Sequence, residues 1–118
     1  MRPLSLIPAL LTLAAAPEAP DGTRIFQRTC APCHGQGPGN DGSPMLPGTA
    51  ALEAKYHGNP PAVLERRDDL TPEVLRVLVR TGQGAMPSFR KTEITDAEID
   101  AIAAYLQRSS RIPPPSKR

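Results

Sequence analysis

Apolar residues near the end of the chain recur at the spacing of an amphipathic helix. They lie at positions i, i+3, i+4 and i+7 of one face: Ile99, Ile102, Ala103 and Leu106. The stretch just before them, Thr95–Glu98, reads T-D-A-E, in which a threonine hydroxyl and a glutamate carboxylate can cap a helix start reciprocally. The pattern predicts a helix that begins there and packs its apolar face on a core.

A second amphipathic helix is predicted upstream. The run Thr71–Glu73 provides a capping hydroxyl, a proline at the first helical position and an acid in the first turn. Four apolar residues follow on one predicted face: Val74, Leu75, Leu78 and Val79. Arg76 and Arg80 lie on another face, and Gly82 is expected to end the helix.

Shorter elements are predicted between the N-terminal region and these two helices. A helix over 23–29 is expected, capped by Asp21 or Gly22, and a short helix is expected over Thr49–Tyr56. The charged stretch Ala62–Asp69 predicts a helical turn or a loop. Because no stretch has the apolar and polar alternation of a strand, the sequence predicts a small all-α fold.

The chain begins with a short apolar run. Leu4–Ala16 follows a positive charge at Arg2, which is the pattern of a secretory signal peptide over Met1–Ala16. The run is too short to span a bilayer, and the alternative of a buried helix is disfavoured by Pro8. We therefore expect a periplasmic protein with no stable membrane anchor, and the cleavage position stays open.

The rest of the chain is expected to form one domain. Pro17–Pro20 is predicted to be a linker, Asp21–Arg108 the domain, and Ser109–Arg118 a disordered, basic, proline-rich tail. Among 118 residues there are two phenylalanines, two tyrosines and no tryptophan, which is few for a core made of protein alone. The formal charge of +2 is too small to indicate nucleic-acid binding, and no basic run carries interleaved aromatic residues.

The residues with distinctive chemistry lie in Cys30–His34, which reads C-A-P-C-H. Two thiols on one helical turn can form thioethers at one edge of a porphyrin, and the imidazole that follows can bind the iron. A redox dithiol and a zinc site are the alternatives. The dithiol needs a βαβ context, and zinc needs more ligands than the one further histidine, His57. The motif predicts one covalent haem c bound by Cys30, Cys33 and His34.

A second axial ligand would separate an electron carrier from an enzyme or sensor with an open iron position. Met1 belongs to the predicted signal, and Met45 lies in the loop expected near the proximal side of the haem. Met86 lies in a G-A-M-P turn after a helix, and we expect it to bind the iron opposite His34 rather than only to fill the core. His57 is expected to be a surface histidine, with a second-ligand or proton-relay role as the alternative.

The glycine- and proline-rich stretch Gly35–Gly48 is expected to form an ordered loop along one haem edge. A ligating histidine usually donates its other ring N–H to a carbonyl or a carboxylate, which fixes its tautomer. The carbonyl of Pro44 is the expected acceptor, and the carbonyl of Pro38 is the alternative.

Over Asp21–Arg108 the sequence resembles the class I c-type cytochromes. The resemblance rests on C-A-P-C-H, on Ser43–Leu46 (S-P-M-L, similar to the family's G-P-x-L, with serine where glycine is frequent), on the G-A-M-P turn and on the final amphipathic helix. It implies that the first and last helices cross, with Gly22 and Phe26 against Tyr105, and that the haem lies in a crevice.

A narrower similarity covers Asp69–Thr95, which reads D-L-T-P-E at its start and G-A-M-P-S-F-R-K-T-E-I-T at its end. It resembles the small cytochromes that accompany flavin-dependent dehydrogenases of the p-cresol methylhydroxylase type. The similarity implies such a dehydrogenase as electron donor and a cytochrome or oxidase as acceptor. Five residues are expected to form a basic surround for this partner, unless they are ordinary solvated charges: Arg66, Arg67, Arg80, Arg90 and Lys91.

These observations predict a monohaem electron carrier that is not an enzyme by itself. A peroxidase or sensor with an open iron position is the first alternative, but a peroxidase would need distal acid–base groups, and His57 is the only spare histidine. A thiol oxidoreductase is the second alternative, and it leaves the position of His34 unexplained.

Overall fold

The computed structural model describes residues 14–113, and within them it contains five α-helices and no strand. A 3₁₀ turn, Leu64–Arg66, lies between the third and fourth helices. The helices in chain order are α1 (Gly22–Thr29), α2 (Ala31–His34), α3 (Pro47–Tyr56), α4 (Pro72–Thr81) and α5 (Asp96–Ser109). The prediction of an all-α fold is confirmed.

The helix starts follow local side-chain chemistry, as the sequence predicts. The Glu98 N–H donates to Thr95 Oγ1 at 3.2 Å, and the Thr95 N–H donates to Glu98 Oε2 at 2.8 Å, which completes the capping box. Thr71 Oγ1 accepts from the Val74 N–H at 3.3 Å at the start of α4, and Asp21 caps α1. These caps lie within one turn of the residues they serve, so tertiary packing is not needed to specify them.

Three details differ from the predicted elements. Helix α3 begins at Pro47, two residues before the predicted start, because proline suits the first helical position. Val74 is 39% exposed and does not belong to the core face of α4, where Leu75 and Val79 are buried. Helix α5 includes Ser109, the first residue assigned to the tail.

The core forms where α1 crosses α5. A Cβ on Gly22 would overlap the backbone carbonyl of Ala101, so only glycine lets the two helix backbones approach this closely. The rings of Phe26 and Tyr105 lie 5.2 Å apart at 47°, as the resemblance implies, and the atoms nearest to a Cβ on Gly22 belong to Ala101 and Ile102 of the same helix as Tyr105. Within residues 14–113, twelve hydrophobic residues are buried: Ile25, Phe26, Ala62, Leu64, Leu70, Leu75, Val79, Ile94, Ile99, Ile102, Ala103 and Leu106.

The segment around the 3₁₀ turn is tied to the helices by polar side chains. Tyr105 donates to Glu65 Oε1 at 2.7 Å, and Gln36 donates to Glu65 Oε2 at 3.3 Å, so one carboxylate joins the turn to α5 and to the loop after α2. Arg67 is only 7% exposed, pairs with Asp69 and lies 5.4 Å from the centre of the Tyr56 ring.

Two arginines expected in the basic surround are used inside the fold. Arg67 is buried against Asp69 and Tyr56, and the Arg80 side chain is 19% exposed and bound to Asp96. The surround is therefore wrong at Arg67, whose guanidinium is buried, and the Arg80 guanidinium is only partly exposed and paired with Asp96. Arg66, Arg90 and Lys91 are exposed.

The two ends of the chain lie largely outside the description. Of the predicted signal peptide only residues 14–16 are described, and the predicted tail is described as far as Pro113. Between residues 14 and 113, every helix is too short or too polar to cross a membrane.

Candidate functional site

Cys30 and Cys33 lie one helical turn apart at the junction of α1 and α2. The Cys30 N–H donates to Phe26 O at 2.9 Å, and Cys30 O accepts from the N–H groups of Cys33 at 3.2 Å and of His34 at 2.8 Å. Both thiols are free; Cys30 is half-buried and Cys33 is exposed. The backbone thus fixes two thiols and an imidazole on about one turn of helix, held by the helix that packs on α5.

The environment of the thiols argues against dithiol redox chemistry. A reactive dithiol needs a thiolate with a lowered pKa. Burial, with a smaller contribution from the neighbouring Cys33, instead raises the pKa of Cys30 to about 11. Cys30 is therefore a protonated thiol at neutral pH, which does not favour its use as the attacking thiol of a redox dithiol.

The zinc alternative lacks ligands. Across the described part of the chain, which includes both cysteines and both histidines, no three His, Cys, Asp or Glu side chains are grouped to hold a metal ion. His57 is exposed at the C-terminal end of α3, where its backbone is left-handed with φ 51°. This position agrees with the predicted surface histidine.

The His34 imidazole is in its neutral form, which is the form that can bind a metal. Its side chain is half-buried at the end of α2, and burial lowers its pKa below the ordinary value of 6.5. The imidazole is therefore neutral at pH 7 and keeps a lone pair for a metal. Nδ1 is buried and has no hydrogen-bond partner among the described residues.

Gly48 forms the surface behind the imidazole. A Cβ at this position would lie 2.9 Å from His34 Nδ1, 2.8 Å from His34 Cε1 and 2.7 Å from Cys33 O. Beside it, the buried Thr49 donates through Oγ1 to Gly35 O at 2.9 Å and fastens α3 to the residue after His34. The sequence did not predict either role. It shows a glycine and a threonine near a helix start, but not which residues of other elements they contact.

The predicted hydrogen bond from His34 to the carbonyl of Pro44 or Pro38 is not formed. Nδ1 of His34 lies against Gly48 and has no hydrogen-bond partner among the described residues. Within the loop, Ser43 Oγ lies 2.6 Å from Asp41 Oδ1 and 2.9 Å from Met45 O, so its single hydroxyl hydrogen is shared between these two acceptors. The hydrogen bond to Asp41 also lowers the pKa of that carboxyl. The role of Pro44 stays a prediction.

Met86 lies in a tight backbone turn. The Gln83 N–H donates to Met86 O at 3.1 Å and the Met86 N–H donates to Gln83 O at 3.0 Å, so Gly84 and Ala85 form the tip. The Met86 side chain is half-buried against the hydrophobic core, and Cys30 packs against the same core cluster. The fold thus brings the predicted thioether ligand and the haem-attachment helix to one core.

Met45, the rejected ligand, lies elsewhere. It lines a cavity of about 490 Å³ together with Pro32, Ala50 and parts of the 39–47 loop, and Met86 is not part of that wall. The two half-buried methionines therefore face different surroundings, and Met86 is the one on the main core.

These residues fit a covalent haem. Two thiols one helical turn apart could attach a porphyrin, and a neutral imidazole and a thioether are side chains of the types that can bind its iron. Fold and site together define the class of single-haem c-type cytochromes, in which the iron changes oxidation state by one electron.

A family match and sequence relatives agree with this class. Residues 17–106 match the family described as "Cytochrome C oxidase, cbb3-type, subunit III". The chain is 32% identical over 103 residues to cytochrome c6 of Picosynechococcus sp., covering 87% of this chain and 83% of that protein. It is 33% identical over 85 residues to cytochrome c6 of Cyanidioschyzon merolae, covering 72% and 68%. The solved structure of an OmcF mutant matches with a TM-score of 0.49 and 24% identity, over 78% of this chain and 98% of that one.

The chain belongs to the cytochrome c family, within the group described as cbb3-type subunit III. It is a cytochrome c6-like electron carrier rather than an enzyme, and it carries one covalent haem c.

Proposed function

We propose that this protein is a periplasmic electron carrier whose haem c is attached through Cys30 and Cys33 and bound axially by His34 and Met86. The observation that carries the proposal is the shared core: the attachment helix and the Met86 turn pack against the same cluster of hydrophobic side chains. A haem placed between them would complete a core that has few aromatic residues of its own.

The ligand set favours electron transfer over catalysis. The imidazole of His34 is neutral, and a thioether does not take part in acid–base chemistry. A haem iron bound by both His34 and Met86 would leave no position for peroxide or a gaseous ligand. His57, the one other histidine, is exposed at the end of α3, a position that favours a surface role over distal acid–base work.

Pro44 is retained in the proposal as the acceptor for His34. An unpaired buried N–H costs roughly 1–3 kcal/mol, and Nδ1 of His34 is buried without a partner. In the haem-loaded protein, a hydrogen bond from Nδ1 to the Pro44 carbonyl would satisfy this atom and would orient the ring.

The proposed location and domain limits rest on the N-terminal sequence. The apolar run Leu4–Ala16 supports export, and Asp21–Arg108 is proposed as the mature cytochrome domain. The described helices begin at Gly22, next to the proposed domain start.

We further propose a flavin-dependent dehydrogenase as electron donor and a cytochrome or oxidase as acceptor, on the similarity over Asp69–Thr95. The residues around the proposed haem edge are uncharged. Ala31 is half-buried, and the others are exposed: Pro32, Gln83, Gly84, Ala85, Pro87 and Ser88. A small, uncharged rim suits brief docking on a larger protein, in which charges outside the rim set the association rate.

The ligand assignment is tested with two methionine variants of the haem-loaded protein. Met86→Ala should abolish the thioether-to-iron absorption band of the oxidised protein, lower the reduction potential and allow added imidazole to bind. Met45→Ala is the matched control and should keep the wild-type spectrum and potential. A spectrum lost in the Met45 variant and kept in the Met86 variant would reverse the assignment, and a haem-free product with two titratable thiols would reject the function.

A further inference from the structure

We propose that Arg80 is a positioning residue that holds the Met86 turn closed for ligation of the iron. The inference rests on the proposed role of Met86 as axial ligand. The sequence indicates only a polar, basic position for Arg80 near the end of an amphipathic helix and does not indicate a contact with the methionine segment.

The Arg80 guanidinium joins three parts of the fold. Nη1 donates to the backbone carbonyl of Phe89 at 3.0 Å, and Nη2 donates to Asp96 Oδ1 at 2.6 Å. Phe89 lies three residues beyond Met86, and Asp96 is the first residue of α5. One side chain therefore connects α4, the exit of the methionine turn and the start of the last helix.

The methionine segment forms a loop closed at its base on α4. It leaves the helix at Gly82 and returns at Phe89, whose N–H donates to Val79 O at 2.8 Å. The carbonyl of the same residue accepts from Arg80. The N–H and the carbonyl of Phe89 are thus bound to two adjacent residues in the last turn of α4. The N–H binds the backbone of Val79, and the carbonyl binds the side chain of Arg80.

Arg76 offers a matched comparison one turn earlier on α4. Its Nη2 donates to Asp100 Oδ1 at 2.6 Å and its Nε lies 3.8 Å from Asp96, so it also joins α4 to α5. Both arginines leave Nε buried without a hydrogen-bond partner in the described region. They differ in that only Arg80 also binds the methionine segment.

This difference separates positioning from general stability. If the two ion pairs serve only to hold α4 on α5, removing either guanidinium should affect the protein similarly. If Arg80 also keeps the turn closed, its loss should increase the fraction of molecules with Met86 away from the iron. An external ligand then competes more effectively, because its apparent affinity scales with the populated open fraction.

The experiment uses haem-loaded wild type, Arg80→Gln and Arg76→Gln in the oxidised state, titrated with imidazole. Binding breaks the bond from iron to Met86 Sδ and forms one from iron to the added nitrogen, with no change in oxidation state. We expect Arg80→Gln to bind imidazole about tenfold more tightly than wild type, equivalent to about 1.4 kcal/mol. Arg76→Gln should remain within about twofold of wild type.

Arg80→Lys gives a second variant in case the glutamine protein does not accumulate. Lysine can keep a charge pair with Asp96, but it lacks the planar fork that serves two acceptors at once. Its imidazole affinity should lie between wild type and Arg80→Gln, with a stability to denaturant close to that of Arg76→Gln.

Equal imidazole affinities for the Arg80 and Arg76 variants would overturn the positioning role. If Met86 is not the axial ligand, a different result is expected: wild type would bind imidazole as tightly as Met86→Ala does. An Arg80→Gln protein that loses stability but keeps wild-type affinity would also overturn the inference.

Discussion

At the scale of single residues, the site depends on what lies behind the imidazole. His34 is the last residue of a four-residue helix, so α2 alone gives it little support. Its ring is held by contact with Gly48, and the Thr49 hydroxyl fixes the adjoining backbone through Gly35. Burial, which this packing produces, is also what lowers the pKa of His34 and keeps it neutral.

Gly48→Ala tests this packing because two effects oppose each other. Within a helix, alanine is better than glycine by up to about 1 kcal/mol, so helix propensity alone predicts a gain in stability. A Cβ 2.7 Å from Cys33 O must displace backbone, and overpacking of this kind costs roughly 1–3 kcal/mol. We expect the free energy of unfolding of the haem-loaded protein to fall, measured by denaturant titration.

The control for that substitution is Ala51→Gly, at an exposed position of the same helix. It should lower stability by no more than about 1 kcal/mol and leave the haem spectrum unchanged. A more stable Gly48→Ala protein would show that the imidazole is not packed against this residue.

At the scale of elements, the connection between α3 and α4 is held by a buried guanidinium. Arg67 Nε donates to Asp69 Oδ1 at 2.8 Å, a second bond joins Nη2 to Oδ2, and the guanidinium lies over Tyr56. The 3₁₀ turn has no side-chain cap of its own, so this ion pair and the hydrogen bonds to Glu65 replace local capping.

Asp69→Asn should make the free energy of unfolding less dependent on pH in the acidic range. The hydrogen bonds from Arg67 hold the pKa of Asp69 below its ordinary value. A carboxylate with a lowered folded pKa stabilises above its unfolded pKa and loses that contribution as pH falls through the folded value. Because the Asp69 side chain is 47% exposed, we discount for solvent and expect a loss of about 1 kcal/mol in the variant at pH 7.

The measurement is urea unfolding at neutral pH and again well below the folded pKa, where wild type and variant should converge. Asp68→Asn is the control, since the Asp68 side chain makes no ion pair or hydrogen bond within residues 14–113. A difference between wild type and Asp69→Asn that stays constant with pH would contradict the electrostatic explanation.

At the scale of the whole molecule, surface charge bears on partner choice. With Arg67 and Arg80 bound inside the fold, the exposed basic residues near the methionine segment are reduced to Arg90 and Lys91, with Arg66 on the 3₁₀ turn. Lys91 lies 3.3 Å from Asp96, and Arg90 pairs with Glu93 at 3.4 Å, so part of this charge is neutralised. Recognition by charge should therefore be modest.

Arg90→Glu should slow reduction by a flavin-dependent dehydrogenase of the p-cresol methylhydroxylase type by about threefold at low ionic strength. The effect should shrink as salt is added, because exposed charges are screened. Stopped-flow absorbance of the haem measures the rate, and ascorbate as donor should reduce wild type and variant equally.

Arg111→Glu provides the matched charge reversal. Arg111 lies beyond the far end of α5, whose 14 residues span about 21 Å from the exit of the methionine segment. An equal slowing in both variants would point to overall charge rather than to docking at this edge.

Much of the fold follows from local sequence. The capping box at Thr95, the hydroxyl of Thr71 and the carboxylate of Asp21 specify three helix starts through bonds to residues three positions away. The spacing of Cys30, Cys33 and His34 is likewise set within one turn. These features are predictable because the interacting groups are brought together by the helix itself.

The sequence by itself thus determined the helices, the attachment motif and the class of cofactor, and only the tertiary structure decided how the site is supported. Gly22 contacts Ala101, Gly48 contacts His34, and Arg80 binds Asp96. The two members of each pair belong to different elements, so no helical periodicity predicts that they meet. Packing of one helix on another selects these partners. The same packing leaves Val74 exposed and buries the guanidinium of Arg67, because the burial of a side chain depends on how the elements pack together.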